Sequence, residues 1–402
     1  MKEYFQFNKM KKNAFALGAM ALCLNSITIK NASAADDETF MGSGIPLHGF
    51  ASAGFGIQDP LRFSNQDHGY LQGFYLNNVD LYLSPDLGGR VRFLTEIALE
   101  PSSVDQTIGI DTERLQVGYA FSNYLTAWVG RFHTPLGFYI IAYHHGSLLQ
   151  TAVDKPRFLD FEDHFGAVPV HTTGLWLTGN AVIGENRLGY MVWTGNGDRI
   201  SGGGSADTAG NYNSLDMNQA HDSNKDTTVG GRVTWFFGGA LDGLQIGATG
   251  MRQLVDGDPQ VVSSNGNQIS TRLFMYGVHA VYENHGVEFL NELYGFSNKD
   301  MNDVGTPTHN SAAGYSQFGY WVSDTNVAYA RYEAANFNRF DPFFNAQSNG
   351  LSYSKGALGF RHNLSDAAAL KFELARTTLK ASNGSYEKGD TNSFKAEFAV
   401  RF

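Results

Sequence analysis

Charged side chains recur in this chain at every second position of extended stretches. Arg90, Arg92, Glu96 and Glu100 share one parity; so do Lys371 and Glu373, and Lys395, Glu397 and Arg401. Side chains two residues apart on a strand lie on one face. Such a row can attract, orient or repel charged solutes without making or breaking a bond. A second group could do covalent or metal chemistry: His144-His145 adjoins Ser147, with Asp154 and His164 nearby. Adjacent histidines in an extended segment point to opposite sides, and a metal site needs a fixed outer shell. These residues therefore read as polar loop side chains, and no catalytic centre, metal or cofactor is expected. Gly202-Gly203-Gly204 lacks a following helix and Lys-Ser/Thr, so it is a loop and not a phosphate cradle. The aspartates around it (Asp198, Asp207, Asp216, Asp222, Asp226) match no EF-hand spacing, which leaves Ca²⁺ in the 196–226 loop a minor alternative.

The elements that position these residues are strands. In Ser393–Phe402, Phe394, Ala396, Phe398, Val400 and Phe402 fall on one face and Ser393, Lys395, Glu397, Ala399 and Arg401 on the other. Leu115, Val117 and Tyr119 oppose Arg114 and Gln116 in the same way, and Leu370, Phe372 and Leu374 oppose Lys371 and Glu373. The links between strands alternate in length. Short ones fall at Ser84–Gly89, Ser122-Asn123, Gly184–Asn186, Gly238–Gly243, Glu283–Gly286, Ser323–Asn326 and Asn363–Ala367. Long ones fall near 58–68, 101–108, 136–170, 195–226, 256–267, 297–311, 340–349 and 381–389. Seven short and eight long links join sixteen strands, and both chain ends then lie on the short-turn side; an error of one hairpin would make fourteen or eighteen.

Composition narrows the class. Of 402 residues, 42% are apolar, 13% aromatic and only 17% charged, where soluble domains carry about 25% charged residues. After residue 35 no run approaches the ~18 apolar residues of a membrane-crossing helix. Lys2, Lys9, Lys11 and Lys12 precede an apolar core, Ala14–Leu24, and Ala32-Ser33-Ala34 offers a cleavage site. Residues 1–34 are the expected export signal, and 35–402 the mature domain. The single cysteine, Cys23, leaves with the signal. The signal carries +4, so a chain of formal charge −10 leaves a mature part of −14, which disfavours a nucleic-acid partner.

Alternation with a mean hydropathy of only −0.26 fits a closed antiparallel barrel in a lipid bilayer. Lipid touches one parity and water the other, and closure pairs every backbone group. A secreted soluble β-sandwich or β-solenoid would share the alternation but not the regular short and long links. Tyr119/Phe121, Phe236/Phe237 and Tyr320/Trp321 are candidates for the aromatic girdle at the short-turn rim. The water-facing set by parity is Arg92, Glu96, Arg114, Arg131, Arg232, Arg331, Glu333, Lys355, Arg361, Lys371, Glu373, Lys395 and Glu397, nine basic and four acidic; His133 joins it as a lumen-facing residue.

The final strand, with its terminal Phe402 and preceding Phe398, resembles the assembly signal of Gram-negative outer-membrane β-barrels. Val129-Gly130-Arg131-Phe132-His133-Thr134-Pro135-Leu136-Gly137 resembles the stretch before the third external loop in porins related to the phosphate-selective porins. The resemblance implies an outer-membrane trimer of sixteen-stranded barrels, inserted by the barrel assembly machinery. It also implies a third external loop, here Leu136–Val170, folded inward to narrow each pore. That loop brings Asp154, Lys155, Arg157, Asp160, Glu162 and Asp163 to the constriction. The implied function is passive diffusion of ions and small hydrophilic solutes. Phosphate specificity is not carried over, since the mature chain is acidic and has no dense lysine cluster. The alternatives are a porin selective for anions or organic acids, an outer-membrane barrel enzyme, and an adhesin or receptor. An enzyme needs a nucleophile and base at one rim, and Ala35–Pro46 is too short for a receptor's plug.

Overall fold

The computed structural model describes residues 47–59, 72–101, 108–144, 146–159, 168–202, 213–216, 226–262, 266–347, 350–381 and 388–402. The expected signal, 1–34, lies outside them. Among the described residues run β1 (Leu47–Gln58), β2 (Gln72–Leu83), β3 (Val91–Pro101), β4 (Ile108–Ser122), β5 (Leu125–His133), β6 (His171–Ile183), β7 (Asn186–Asn196), β8 (Arg199–Gly202), β9 (Asn213–Asp216), β10 (Thr227–Phe236), β11 (Leu244–Gly257), β12 (Ser270–Asn284), β13 (Val287–Asp300), β14 (Thr308–Trp321), β15 (Asn326–Asn336), β16 (Tyr353–Ser365), β17 (Ala368–Leu379) and β18 (Gly389–Arg401). β8 and β9 form a short hairpin at the long-loop rim, where β8 pairs in parallel with the end of β11. The other sixteen make one closed antiparallel ring, in which β7 pairs with β10 and β18 returns to β1. The last residue helps to close it: Gly49 N donates to Phe402 O (2.9 Å) and Phe402 N donates to Gly49 O (3.0 Å).

All seven short links fall where the turn residues placed them, on one rim. The outward parity is apolar and exposed, including Val129, Val278, Leu293, Leu358, Leu374, Phe398 and Phe402. Its partner parity is polar and buried, including Lys371, Glu373 and Glu397. Tyr119 and Phe121 stack edge-on at 5.0 Å near the short-turn rim, both exposed. An apolar belt around a ring without edges is what a bilayer requires.

The third long link, 134–170, enters the barrel. It carries a short helix α1 (Tyr139–Tyr143) and a 3-10 turn at Arg157–Leu159. Leu136, Phe138, Tyr139, Ile140, Phe158 and Leu159 are buried in one cluster with Leu290, Tyr294, Phe296, Tyr315 and Tyr353 of the barrel wall. Burying each large side chain contributes roughly 1.5–3 kcal/mol. The loop is therefore a packed element of the interior.

Candidate functional site

The loop is fixed at its root by a glycine and a carboxylate. Gly137 has φ +55°, a left-handed conformation that favours glycine. A Cβ there would lie 1.8 Å from Glu292 Oε2. The missing side chain lets the loop backbone approach β13, where Glu292 accepts from Phe138 N (2.9 Å), Tyr139 N (2.8 Å), Tyr294 OH (2.6 Å) and Tyr315 OH (2.8 Å). Four donors on one fully buried carboxylate offset part of the cost of removing its charge from water.

Further along, the loop lies against β13 and β15–β18, and the charged rows hold it. Lys371 Nζ donates to Ser147 O (2.6 Å) and Ala152 O (3.0 Å) and pairs with Glu397 (2.6 Å). Arg361 donates to Gln150 O (2.9 Å), and Thr151 Oγ1 donates to Glu288 (2.6 Å). Glu373 accepts from Val153 N and Asp154 N, each at 3.3 Å. Arg331 donates to Asp154 O (2.7 Å), and Glu333 accepts from Arg157 N (2.5 Å). Asp154 sits between two ammoniums, Lys355 (2.9 Å) and Lys395 (2.7 Å). Burial works to raise the Asp154 carboxyl, but those two cations outweigh it and hold the group well below the usual carboxylate range.

In these contacts among the described residues, five carboxylates, Asp154, Glu288, Glu333, Glu373 and Glu397, face five wall cations, Arg331, Lys355, Arg361, Lys371 and Lys395. Sequence parity had set Arg331, Glu333, Lys355, Arg361, Lys371, Glu373, Lys395 and Glu397 on one face. It missed Glu288 and Glu292, because their face of β13 also carries Leu290, Tyr294 and Phe296. That apolar run suggests lipid; in fact it receives the loop. Water reaches the two charge types unequally. Glu288, Glu333, Glu373 and Glu397 are buried, as are Arg331, Lys355 and Lys371; among the described residues here Lys155, Arg157, Arg361 and Lys395 keep partial exposure against Asp154 on the acidic side.

The remaining expected residues are dispersed. Arg92 stays at the short-turn rim, donating to Gly89 O and Val91 O. Arg232 is buried on β10. Arg114 pairs with buried Glu96. Asp160, Glu162, Asp163, His145 and His164 lie outside the described residues. In the 196–226 loop, Asp198 accepts from Gln253 (2.8 Å) and Asp216 pairs with Arg199 (3.1 Å). Asp207 and Asp222 lie outside the described residues.

One grouping had no counterpart in the sequence reading. Glu113, His133, His144 and His171 converge so that one donor atom of each lies within 4.8 Å of the others. β3 and β4 change register between Glu96↔Arg114 and Ile97↔Thr112, which leaves Glu113 as the extra residue of a bulge. Below the bulge Leu115 and Val117 face outward; above it Ile110 and Ile108 do, so the parity switches. Strict alternation puts Glu113 with Leu115 on the outer face, yet both Glu113 and its neighbour Arg114 engage interior partners.

No protein-family model matches the chain, and no curated protein matches it. Solved structures resemble its fold. The anion-selective porin from Comamonas acidovorans aligns with 89% of this chain and 99% of its own, at 13% identity and a TM-score of 0.56. The outer membrane channel DcaP of Acinetobacter baumannii aligns with 89% of this chain and 97% of its own, at 11% identity and a TM-score of 0.54. The trimer form of OmpT, an outer membrane protein of Vibrio cholerae, aligns with 89% of this chain and 99% of its own, at 12% identity and a TM-score of 0.51. At such identities the likeness is one of fold, that of outer-membrane barrels.

Proposed function

We propose that the chain is a passive porin of the bacterial outer membrane, a water-filled channel for ions and small hydrophilic solutes narrowed by the 134–170 loop. The observation that carries this reading is the seat of that loop. It enters a closed sixteen-stranded ring and is tied to the far wall through Asp154, Lys355 and Lys395. A narrowing element held by charged groups sets selectivity through the field those groups cast into the water beside them. Lys155 and Arg157 lie on the loop and Arg331, Glu333, Arg361 and Lys371 on the wall that seats it, while Arg114, Arg131 and His133 stand near the root of the loop and Arg92 stays at the short-turn rim. The chain works without a catalytic centre. It is exported through residues 1–34, assembled through the Phe398–Phe402 strand, and trimeric, as the Vibrio cholerae OmpT form is.

A preference for anions is the second reading. It is favoured by the partly exposed charges of the described seat, where Lys155, Arg157, Arg361 and Lys395 outnumber Asp154. Single-channel conductance in a planar bilayer, with the reversal potential under a KCl gradient, tests both. Discrete steps with a potential of anionic sign are expected. A folded barrel that passes no current would overturn the channel, and a cationic sign would overturn the preference.

A further inference from the structure

We propose that Glu113, His144 and His171, completed by His133, form a binding site for a divalent transition-metal ion of the Zn²⁺ class at the root of the inward loop. The site goes beyond the channel reading and does not depend on it. Its donors come from four places: Glu113 from the β4 bulge, His133 from the end of β5, His144 from just after α1, and His171 from the start of β6. Three of them already stand at coordination spacing. His171 Nε2 is 2.8 Å from Glu113 Oε2. His144 Nε2 is 3.6 Å from the same oxygen and 3.1 Å from His171 Nε2. Ligands bound at about 2.0–2.1 Å in a tetrahedron lie roughly 3.3 Å from each other, so small movements admit the ion. His133 stacks on His144 with ring centroids 3.5 Å apart, and one of its nitrogens lies within 4.8 Å of the other three donors, which makes it the fourth ligand of the proposed site.

The donor chemistry selects the class of ion. Three imidazoles and one carboxylate suit borderline divalent metals, whereas Mg²⁺ and Ca²⁺ prefer all-oxygen sites. Glu113, His144 and His171 are buried and His133 nearly so, which protects the bonds from competing water. Arg131 Nη2 donates to His171 Nδ1 (3.2 Å), which leaves Nε2, beside both Glu113 Oε2 and His144 Nε2, as the protonated nitrogen of a neutral His171 ring. Metal binding at Nε2 shifts that proton to Nδ1 and turns Arg131 away, toward Asp111 Oδ2, now 3.9 Å distant. The ion would therefore staple both ends of the loop and its first helix to β4, and would reposition one cation of the wall.

The test uses the folded full-length barrel in detergent, stripped with chelator and titrated with Co²⁺ as a spectroscopic probe. The expected result is one Co²⁺ per chain with the visible bands of a tetrahedral site, displaced by Zn²⁺. His171→Ala and Glu113→Gln should weaken binding at least by the roughly 100-fold that even outer-shell changes can cost. His144→Gln, on the loop and not in a strand, gives the same reading if strand variants fold poorly, and exposed His285→Ala should leave binding unchanged. Absence of these bands in the wild-type barrel, or bands that survive both His171→Ala and His144→Gln, would overturn the site. None of these readouts uses current, so failure of the channel reading would be seen separately.

Discussion

Among the described residues of the loop seat, Asp154 is the acid that water still reaches, and Asp154→Asn should shift the pore toward anions. Its carboxylate is held charged by Lys355 and Lys395 at 2.9 and 2.7 Å. The substitution keeps the shape and removes one negative charge, leaving five cations against four carboxylates. An ion passing about 7 Å away in water feels one unit charge at about 0.6 kcal/mol. The change favours an anion and disfavours a cation by the same amount, so the permeability ratio moves about sevenfold at low salt. Near 0.1 M salt, where the screening length is about 10 Å, the shift falls to roughly threefold. Reversal potentials in KCl gradients at two ionic strengths measure both the size and the salt dependence. Asp154→Glu, which retains the charge, should stay near the wild type. An unchanged potential from a folded Asp154→Asn barrel at low salt would refute the claim that this seat sets the field in the pore.

Glu292→Gln replaces one acceptor oxygen with an amide that cannot accept, stranding about two of the four donors now satisfied. At about 1–3 kcal/mol per buried unsatisfied donor, the loop should lose roughly 2–6 kcal/mol, read as faster proteolysis within 134–170 while the barrel stays intact. Gly137→Ala must find room for a Cβ placed 1.8 Å from Glu292 Oε2 at a φ of +55°; it should release the same segment, and protection equal to wild type would show that the close approach is not needed. In the long links, burial pushes Asp198 and Asp341 up to about 7. A carboxyl raised in the folded state holds its proton there, while the unfolded chain has already lost its own. Stability therefore falls as pH rises from the ordinary carboxyl range through 7. Asp341→Asn should lose less thermal stability than the wild type between pH 5 and pH 8, and identical pH slopes would refute the assignment.

The sequence by itself determined the ring. Alternation in β18 put Lys395 and Glu397 inside and Phe398 and Phe402 outside, and turn residues marked every short link, because both signals are local consequences of strand geometry. The strand count followed from those links. What the sequence could not determine was which apolar parity meets lipid and which meets protein. Leu290, Tyr294 and Phe296 look like a membrane face until the inward loop is laid against them, and Glu288 and Glu292 were hidden among them for that reason. Nor could it determine Glu113, since a one-residue bulge reverses the parity of everything beyond it and depends on register with β3. The wall charges were legible as a row, but their partners were not: Lys371 with Ser147 O and Ala152 O, and Glu373 with Val153 N, join residues more than two hundred positions apart. The sequence set His144 beside His145 and Ser147 and His133 on the lumen face, and gave no sign that His171 joins them. Only the return of the loop to the root of its own strands brings them to one carboxylate.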